Sequence, residues 1–290
     1  MTAPERPPGL PADCTPLRRL AGGESAEAWL VERRGQRGVF RRREPGAGPG
    51  PRRQAELLRW LGAQGLPVAP VWEAGPAHLL CGWLPGVPGG DWFRARCGPE
   101  RTAAAFALLA RLHGLPAGPG TPPAALPRDR WRASLAPGPD AAFADLRRGA
   151  AAALAGLAPG GPGSALIHGD FHPANVLFTG EAVSGLLDFD TAQLSRGEFD
   201  LGYALLTFCG RWPDGTLDVE AAAAALAAYG AVRPWEGVLL APCTVAAALI
   251  LYDWCAALPA AHPRRAALVG HFGGLLRGRA WEALPGGRGA

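Results

Sequence analysis

The chain contains no lysine: all 29 of its basic residues are arginine, while glycine (41) and proline (30) are plentiful and methionine occurs once. A formal net charge of +4 would ordinarily raise the question of an anionic partner. Here the charge follows a bias toward arginine, alanine, glycine and proline that runs through the whole chain, which argues against a nucleic-acid surface. The only dense basic patch, residues 41–43, has no interleaved aromatics of the kind a single-strand platform needs. Long hydrophobic runs are also missing. No stretch reaches the ~18–20 uncharged apolar residues of a membrane span. The nearest, residues 238–258, holds Pro242 and Asp253 and reads as a buried helix. Residues 1–16 are proline-rich, without a basic start leading into an apolar core, so no signal peptide is expected. A cytoplasmic protein with neither membrane nor nucleic acid as partner is the expectation. Six cysteines, at 14, 81, 97, 209, 243 and 255, form no C-x-x-C pair. Reduced, buried thiols are expected in place of a disulfide frame or a zinc site.

What is present is core-forming material: 290 residues, 48% hydrophobic, with ten tryptophans, enough for one large domain or two lobes. Residues 17–20, 28–31 and 38–41 read as three strands of an antiparallel meander. Residues 52–62 read as an amphipathic helix with Leu57, Leu58 and Leu61 on one side, and residues 68–71 and 77–83 as two further strands. A Pro/Gly break at 85–90 follows. Beyond it the pattern is helical, over 100–112, 141–157, 201–208, 219–229, 238–258 and 264–276, with a proline-rich loop at 115–139. Short strands are expected at 164–167, 176–178 and 183–187, the last two as a hairpin around Thr179-Gly180. The expected class is α+β: a small antiparallel front lobe over residues 1–84, a hinge at 81–84, a larger helical lobe over 85–290, and a cleft between them.

The chemistry concentrates in His168-Gly169-Asp170-Phe171-His172-Pro173-Ala174-Asn175. Asp170 follows an apolar strand and sits in a Gly- and Pro-containing loop, where a carboxylate can be held rigidly and still face a cleft. Asn175 offers an amide oxygen at the mouth of the next strand, and a later apolar run ends in Asp188-Phe189-Asp190. Two oxygen donors at the mouths of neighbouring strands suit a hard cation such as Mg²⁺. Phosphoryl transfer uses such an ion together with a separate Asp that receives the acceptor's hydroxyl proton.

The order His, Asp, four residues, Asn, then a downstream Asp-Phe follows the kinase pattern, with Gly169 in place of the arginine of protein kinases. This H-G-D form, with L-D-F-D downstream, resembles the aminoglycoside phosphotransferase family. That group includes homoserine-kinase-like, macrolide-kinase-like and choline-kinase-like enzymes and has a bilobal protein-kinase-like fold. The resemblance extends to the helix start at residues 198–205 and to the Leu112-His113 that closes the helix of 100–112. It implies an ATP- and Mg²⁺-dependent kinase that phosphorylates a hydroxyl of a small molecule. Asp170 would be the base, Asn175 and Asp188 the metal ligands, and Asp200 a brace of the catalytic loop. Asp190 would have an outer-shell role toward metal or water. Gly22, Gly23 and Ser25 would cover the phosphates with backbone N–H groups, in the absence of any G-x-x-x-x-G-K-[ST] loop. Arg41 would stand where the family carries its β3 lysine, paired with either Gln54 or Glu56. Cys81 and Trp83 would flank the backbone that reads adenine.

Two other readings use the same residues. His168-x-Asp170-x-His172 could belong to a hydrolase metal cluster, but only His262 and His271 remain downstream as further imidazoles. A pseudokinase or nucleotide-binding module would keep the fold and lose the chemistry; the retention of Asp170, Asn175 and Asp188 together argues against it. The acceptor would be bound by the segments after Gly210 and by residues 115–139. Acids there are sparse and aromatics (Trp212, Tyr229, Trp235, Tyr252, Trp254) common, which favours a neutral, zwitterionic or partly apolar hydroxyl compound over a polycation.

Overall fold

The computed structural model of the chain describes residues 5–20, 27–43, 50–90, 97–118, 135, 143–157 and 163–284. Strands β1 (Cys14–Arg19), β2 (Glu27–Arg33) and β3 (Gln36–Arg42) form the expected meander. β2 and β3 are joined by a two-residue turn, Arg34-Gly35, with φ of 53° and 78°, the positive-φ pair that matches strand twist. Helix α1 (Pro51–Ala63) starts on a proline, whose missing N–H costs nothing at that position, and buries Leu57, Leu58 and Leu61. β4 (Val71–Ala74) and β5 (His78–Gly82) complete a five-stranded antiparallel sheet of order β1-β2-β3-β5-β4. The alternation on β5 sorts two faces. Leu80 joins Trp29, Val31 and Phe40 in a small outer core, while Leu79 and Cys81 face α1 and the main core.

The strand expected at 68–71 begins only at Val71. Pro67 and Pro70 supply no ladder donors; each serves only as an acceptor, Pro67 from the N–H of Leu186 (2.7 Å) and Pro70 from that of Gly82 (2.8 Å). Inside the Pro/Gly break, the two-residue strand β6 (Val87–Pro88) pairs with the strand that follows residues 168–175. The N–H of Gly89 reaches the carbonyls of Pro173 and Val176, both at 2.9 Å.

The remainder is mainly helical: α2 (Pro99–His113), α3 (Ala144–Leu154), α4 (Gly197–Cys209), α5 (Val219–Gly230), α6 (Gly237–Ala257) and α7 (Arg265–Arg277). α4 and α6 cross closely enough that a Cβ on Gly202 would lie 2.8 Å from the Cα of Thr244. α6 has the length and mean hydropathy (1.8) of a membrane span, but 67% of that window is buried inside the fold, as expected of a core helix. β7 (Ser164–Ile167) leads into the loop of residues 168–175, and β8 (Val176–Thr179) and β9 (Ala182–Leu186) form the hairpin behind it, turning at Gly180 with φ of 61°. β10 (Gln193–Arg196) pairs antiparallel with β7 and carries no strand signal of its own. A short ribbon of β11 (Gly210–Arg211) and β12 (Thr216–Leu217) follows α4. All six cysteines are free and buried, and burial raises the Cys81 thiol to about 11.

Candidate active site

Loop geometry begins with Asp200, fully buried on the first turn of α4. Its carboxylate accepts the backbone N–H groups of His168 (2.6 Å) and Gly169 (2.8 Å), and His113, at the end of α2, lies 3.2 Å away. The other ring nitrogen of His113 meets the hydroxyl of Tyr229 at 2.8 Å. One carboxylate thus ties the loop to two helices. Gly169 explains why H-G-D stands where protein kinases have H-R-D. Its φ is +79°, and a Cβ there would lie 2.6 Å from the carbonyl oxygen of Thr191. The Thr191 hydroxyl returns the contact by donating to the carbonyl of His168 at 3.0 Å. His168 itself is a strut: its Nε2–H donates to the carbonyl of Leu187 (2.7 Å), and its Nδ1 accepts the N–H of Asp170 (3.3 Å).

Asp170 is held by donors on both oxygens. The Tyr203 hydroxyl donates to Oδ1 at 2.7 Å, and the Asn175 amide donates to Oδ2 at 3.3 Å and to the Asp170 carbonyl at 3.0 Å. His172 accepts the N–H of Ala174 on Nδ1, and its Nε2 lies 3.5 Å from Oδ2 and 3.1 Å from the Asn175 amide nitrogen. Burial alone would raise the Asp170 carboxyl, but the hydrogen bonds from His172 and Tyr203 outweigh it and hold the group at about 2. It is therefore ionised at neutral pH. Tyr203 lies in the 198–205 stretch of the resemblance but has no role there; its place in the second turn of α4, facing the loop, reveals one.

Asp188 follows β9 directly. The N–H of Leu187 donates to the carbonyl of Asn175 (2.8 Å), so the ends of the two strands lie side by side. Asp188 adopts left-handed backbone, φ 58° and ψ 70°, which an aspartate tolerates better than most residues and which often marks a functional position. With its amide nitrogen committed to Asp170, Asn175 keeps its amide oxygen for another ligand. That oxygen and the Asp188 carboxylate are both hard donors of the kind Mg²⁺ takes, so the residues fit the ion.

The front sheet reaches the same place. The guanidinium of Arg41 lies 3.5 Å from Asp188 and 3.1 Å from Asp190. Arg43 also pairs with Asp190, and the Gln54 amide donates to it at 2.6 Å. The anticipated pairing of Arg41 with α1 is not formed. Gln54 is buried but turned to Asp190, while Glu56 is exposed and has no ion pair among the described residues. Two positions apart on a helix, the two side chains point to nearly opposite sides. Asp190, expected in an outer metal shell, is spent instead on three side chains. The backbone expected to read adenine is also committed within the protein. The N–H of Gly82 donates to Pro70 and that of Trp83 to Arg37 (3.0 Å), so neither is open to a ligand. Gly22, Gly23 and Ser25 lie outside the described residues, as does most of the 115–139 loop.

Acids after Gly210 are largely committed. Asp253 makes a two-pronged pair with Arg147 (2.6 and 3.0 Å), Glu236 pairs with Arg196, Glu282 with Arg279, and Asp218 caps α5. The aromatics there also pack: Tyr229 on His113, Tyr252 on Phe143, Trp212 on His271.

Comparison with known proteins gives concordant findings. The sequence model named APH, the phosphotransferase enzyme family, matches residues 16–235. A homoserine kinase of Methylobacterium radiotolerans is 43% identical over 83 residues, 29% of this chain and 24% of that protein. A homoserine kinase of Gluconacetobacter diazotrophicus is 34% identical over 171 residues, 56% of this chain and 51% of that protein. The chain thus spans between a quarter and a half of the length of these curated relatives. Among solved structures, a macrolide 2'-phosphotransferase from Brachybacterium faecium shares the fold, with a TM-score of 0.58 at 24% identity over 88% of this chain and 90% of that one.

Proposed function

Since the chain belongs to the phosphotransferase enzyme family, we propose that it is an ATP- and Mg²⁺-dependent kinase that moves the γ-phosphate to a hydroxyl of a small molecule. The observation that carries this reading is the convergence of Asp170 and Asn175, 3.3 Å apart, with Asp188 at the end of the neighbouring strand. Asp170 orients the acceptor hydroxyl through its carboxylate. Held at about 2, it is a weak base, suited to receiving the proton late, when the transferring phosphoryl group is already loosely bound. Asn175 and Asp188 hold Mg²⁺, which offsets phosphate charge when bound. Arg41 meets the phosphates with N–H groups that Asp188 and Asp190 do not use, and Gly22, Gly23 and Ser25 cover them.

We read the chain as a nucleotide-binding lobe over residues 1–84 and an acceptor lobe over 85–290. Because Gly82 and Trp83 spend their N–H groups in the sheet and Pro85 has none, backbone donors for adenine come from Leu84 and Gly86. The acceptor is a neutral or zwitterionic hydroxyl compound. The commitment of Asp253, Glu236, Glu282 and Asp218 to internal partners supports this, since they leave little charge to hold a polycation. The similarity to homoserine kinases points the same way, toward a hydroxylated amino acid or amino alcohol.

A ligand that binds only the folded state raises the melting temperature. Mg²⁺-ATP is expected to raise that of the wild type, and more than ATP with chelator does. The Asp188→Asn variant is expected to lose the Mg²⁺-dependent part. A wild type indifferent to Mg²⁺-ATP contradicts the assignment.

A further inference from the structure

Transfer chemistry leaves the second acid of the strand-end motif, Asp190, without a task. Its side chain is 14% exposed and sits where three parts of the chain meet. One oxygen accepts from Gln54 on α1 at 2.6 Å. The other accepts from Arg41 on β3 at 3.1 Å and from Arg43 just after it. Arg43 is only 7% exposed. A guanidinium that deeply placed needs a counter-charge nearby, and the neutral amide of Gln54 cannot supply one.

We propose that Asp190 is the positioning residue of the nucleotide site. Its carboxylate anchors Arg41 and Arg43 and couples them to α1, the task that a glutamate on the corresponding helix performs where a lysine–glutamate pair sets the phosphate-binding cation. In this chain that helix offers Gln54, and the negative charge has moved to the far side of the same cluster. The inference rests on the kinase reading above. Asp188 and Asp190 together balance the two guanidiniums; once Asp188 turns to another ligand a positive surplus remains, carried by Arg41, whose Nε and Nη1 make no hydrogen bond among the described residues. Because Arg41 is held by Asp190, it keeps its place when the Asp188 carboxylate turns to another ligand.

The test is a calorimetric titration of the full chain with Mg²⁺-ATP, with melting curves and steady-state kinetics recorded alongside, for wild type, Asp190→Asn and the double variant Asp190→Asn/Gln54→Glu. The Asp190→Asn substitution keeps the size of the side chain but not its charge, so binding should weaken about tenfold or more. KM for ATP should rise with it, and kcat should fall by less. The added Gln54→Glu substitution restores a carboxylate within one side chain of the arginines, and binding in the double variant should return to within about threefold of wild type. If Asp190→Asn does not fold, recovery of a cooperative melt and of Mg²⁺-ATP binding in the double variant supports the proposal, and no recovery overturns it. A single variant that binds like wild type overturns it, as does a folded single variant that the second substitution does not improve, since a carboxylate on α1 cannot replace a group acting on the metal. A wild type that binds no Mg²⁺-ATP overturns the kinase reading and this inference with it.

Discussion

Asp170 carries the account, and Tyr203 is the residue through which its geometry can be tested. The hydroxyl of Tyr203, 2.7 Å from Oδ1, fixes one oxygen and lowers the carboxyl's affinity for a proton. Tyr203→Phe removes that donor without changing shape. The expected result is a fall in kcat of about tenfold, the loss of one hydrogen bond to a charged group, with KM for ATP near wild type. The Asp170 carboxyl should also titrate higher. A Tyr203→Phe enzyme with unchanged kcat would show that the contact is only packing. At this scale much was legible in advance. Asn175 is the only asparagine in a chain that also lacks lysine, and its spacing from Asp170 and Asp188 marks the candidate site. Tyr203 and the Asp190 cluster were not legible, because they depend on how far-apart segments meet: Arg41 and Asp190 are 149 positions apart in the chain.

Elements give a different lesson. Those with a clear period appear where the pattern puts them: the meander, α1, α2, β7, the β8–β9 hairpin and the four later helices α4 to α7. β4 starts late because prolines displace its ladder, and β10 was invisible because Gln193-Leu194-Ser195-Arg196 has no apolar run and is a strand only by pairing with β7. α7 supplies a stability prediction. His271 is 4% exposed, packs against Trp212 and Phe272, and leaves Nδ1 without a hydrogen bond. Burial holds its pKa down at about 4, below the ordinary 6.5, with Asp214 opposing. The folded state therefore keeps this ring neutral while the unfolded chain takes up a proton below 6.5, so stability is full above that pH and is lost as pH falls toward 4. Melting temperature should drop across that window in the wild type. His271→Phe, which keeps the aromatic contacts and cannot take a proton, should flatten the drop. An identical slope in both proteins would place the acid sensitivity elsewhere.

For the whole molecule, the front sheet and the helical part meet at the candidate site through charges on each side: Arg41 and Arg43 from the sheet, Asp188 and Asp190 from the turn after β9, with Asp200 and His113 bracing the loop of residues 168–175. Fold class followed from the strand-rich front and the helical remainder. The acceptor did not, because three of the aromatics that suggested a pocket, Tyr229, Tyr252 and Trp212, serve in packing. The most direct measurement is transfer of labelled γ-phosphate from Mg²⁺-ATP to a panel of hydroxylated amino acids, amino alcohols, sugars and macrolides, with wild type and Asp170→Asn side by side. The account predicts a phosphorylated acceptor with the wild type, and with Asp170→Asn a loss of about a hundredfold or more in kcat while Mg²⁺-ATP binding persists. Full transfer by Asp170→Asn, or no transfer by the wild type to any hydroxyl compound, would contradict it.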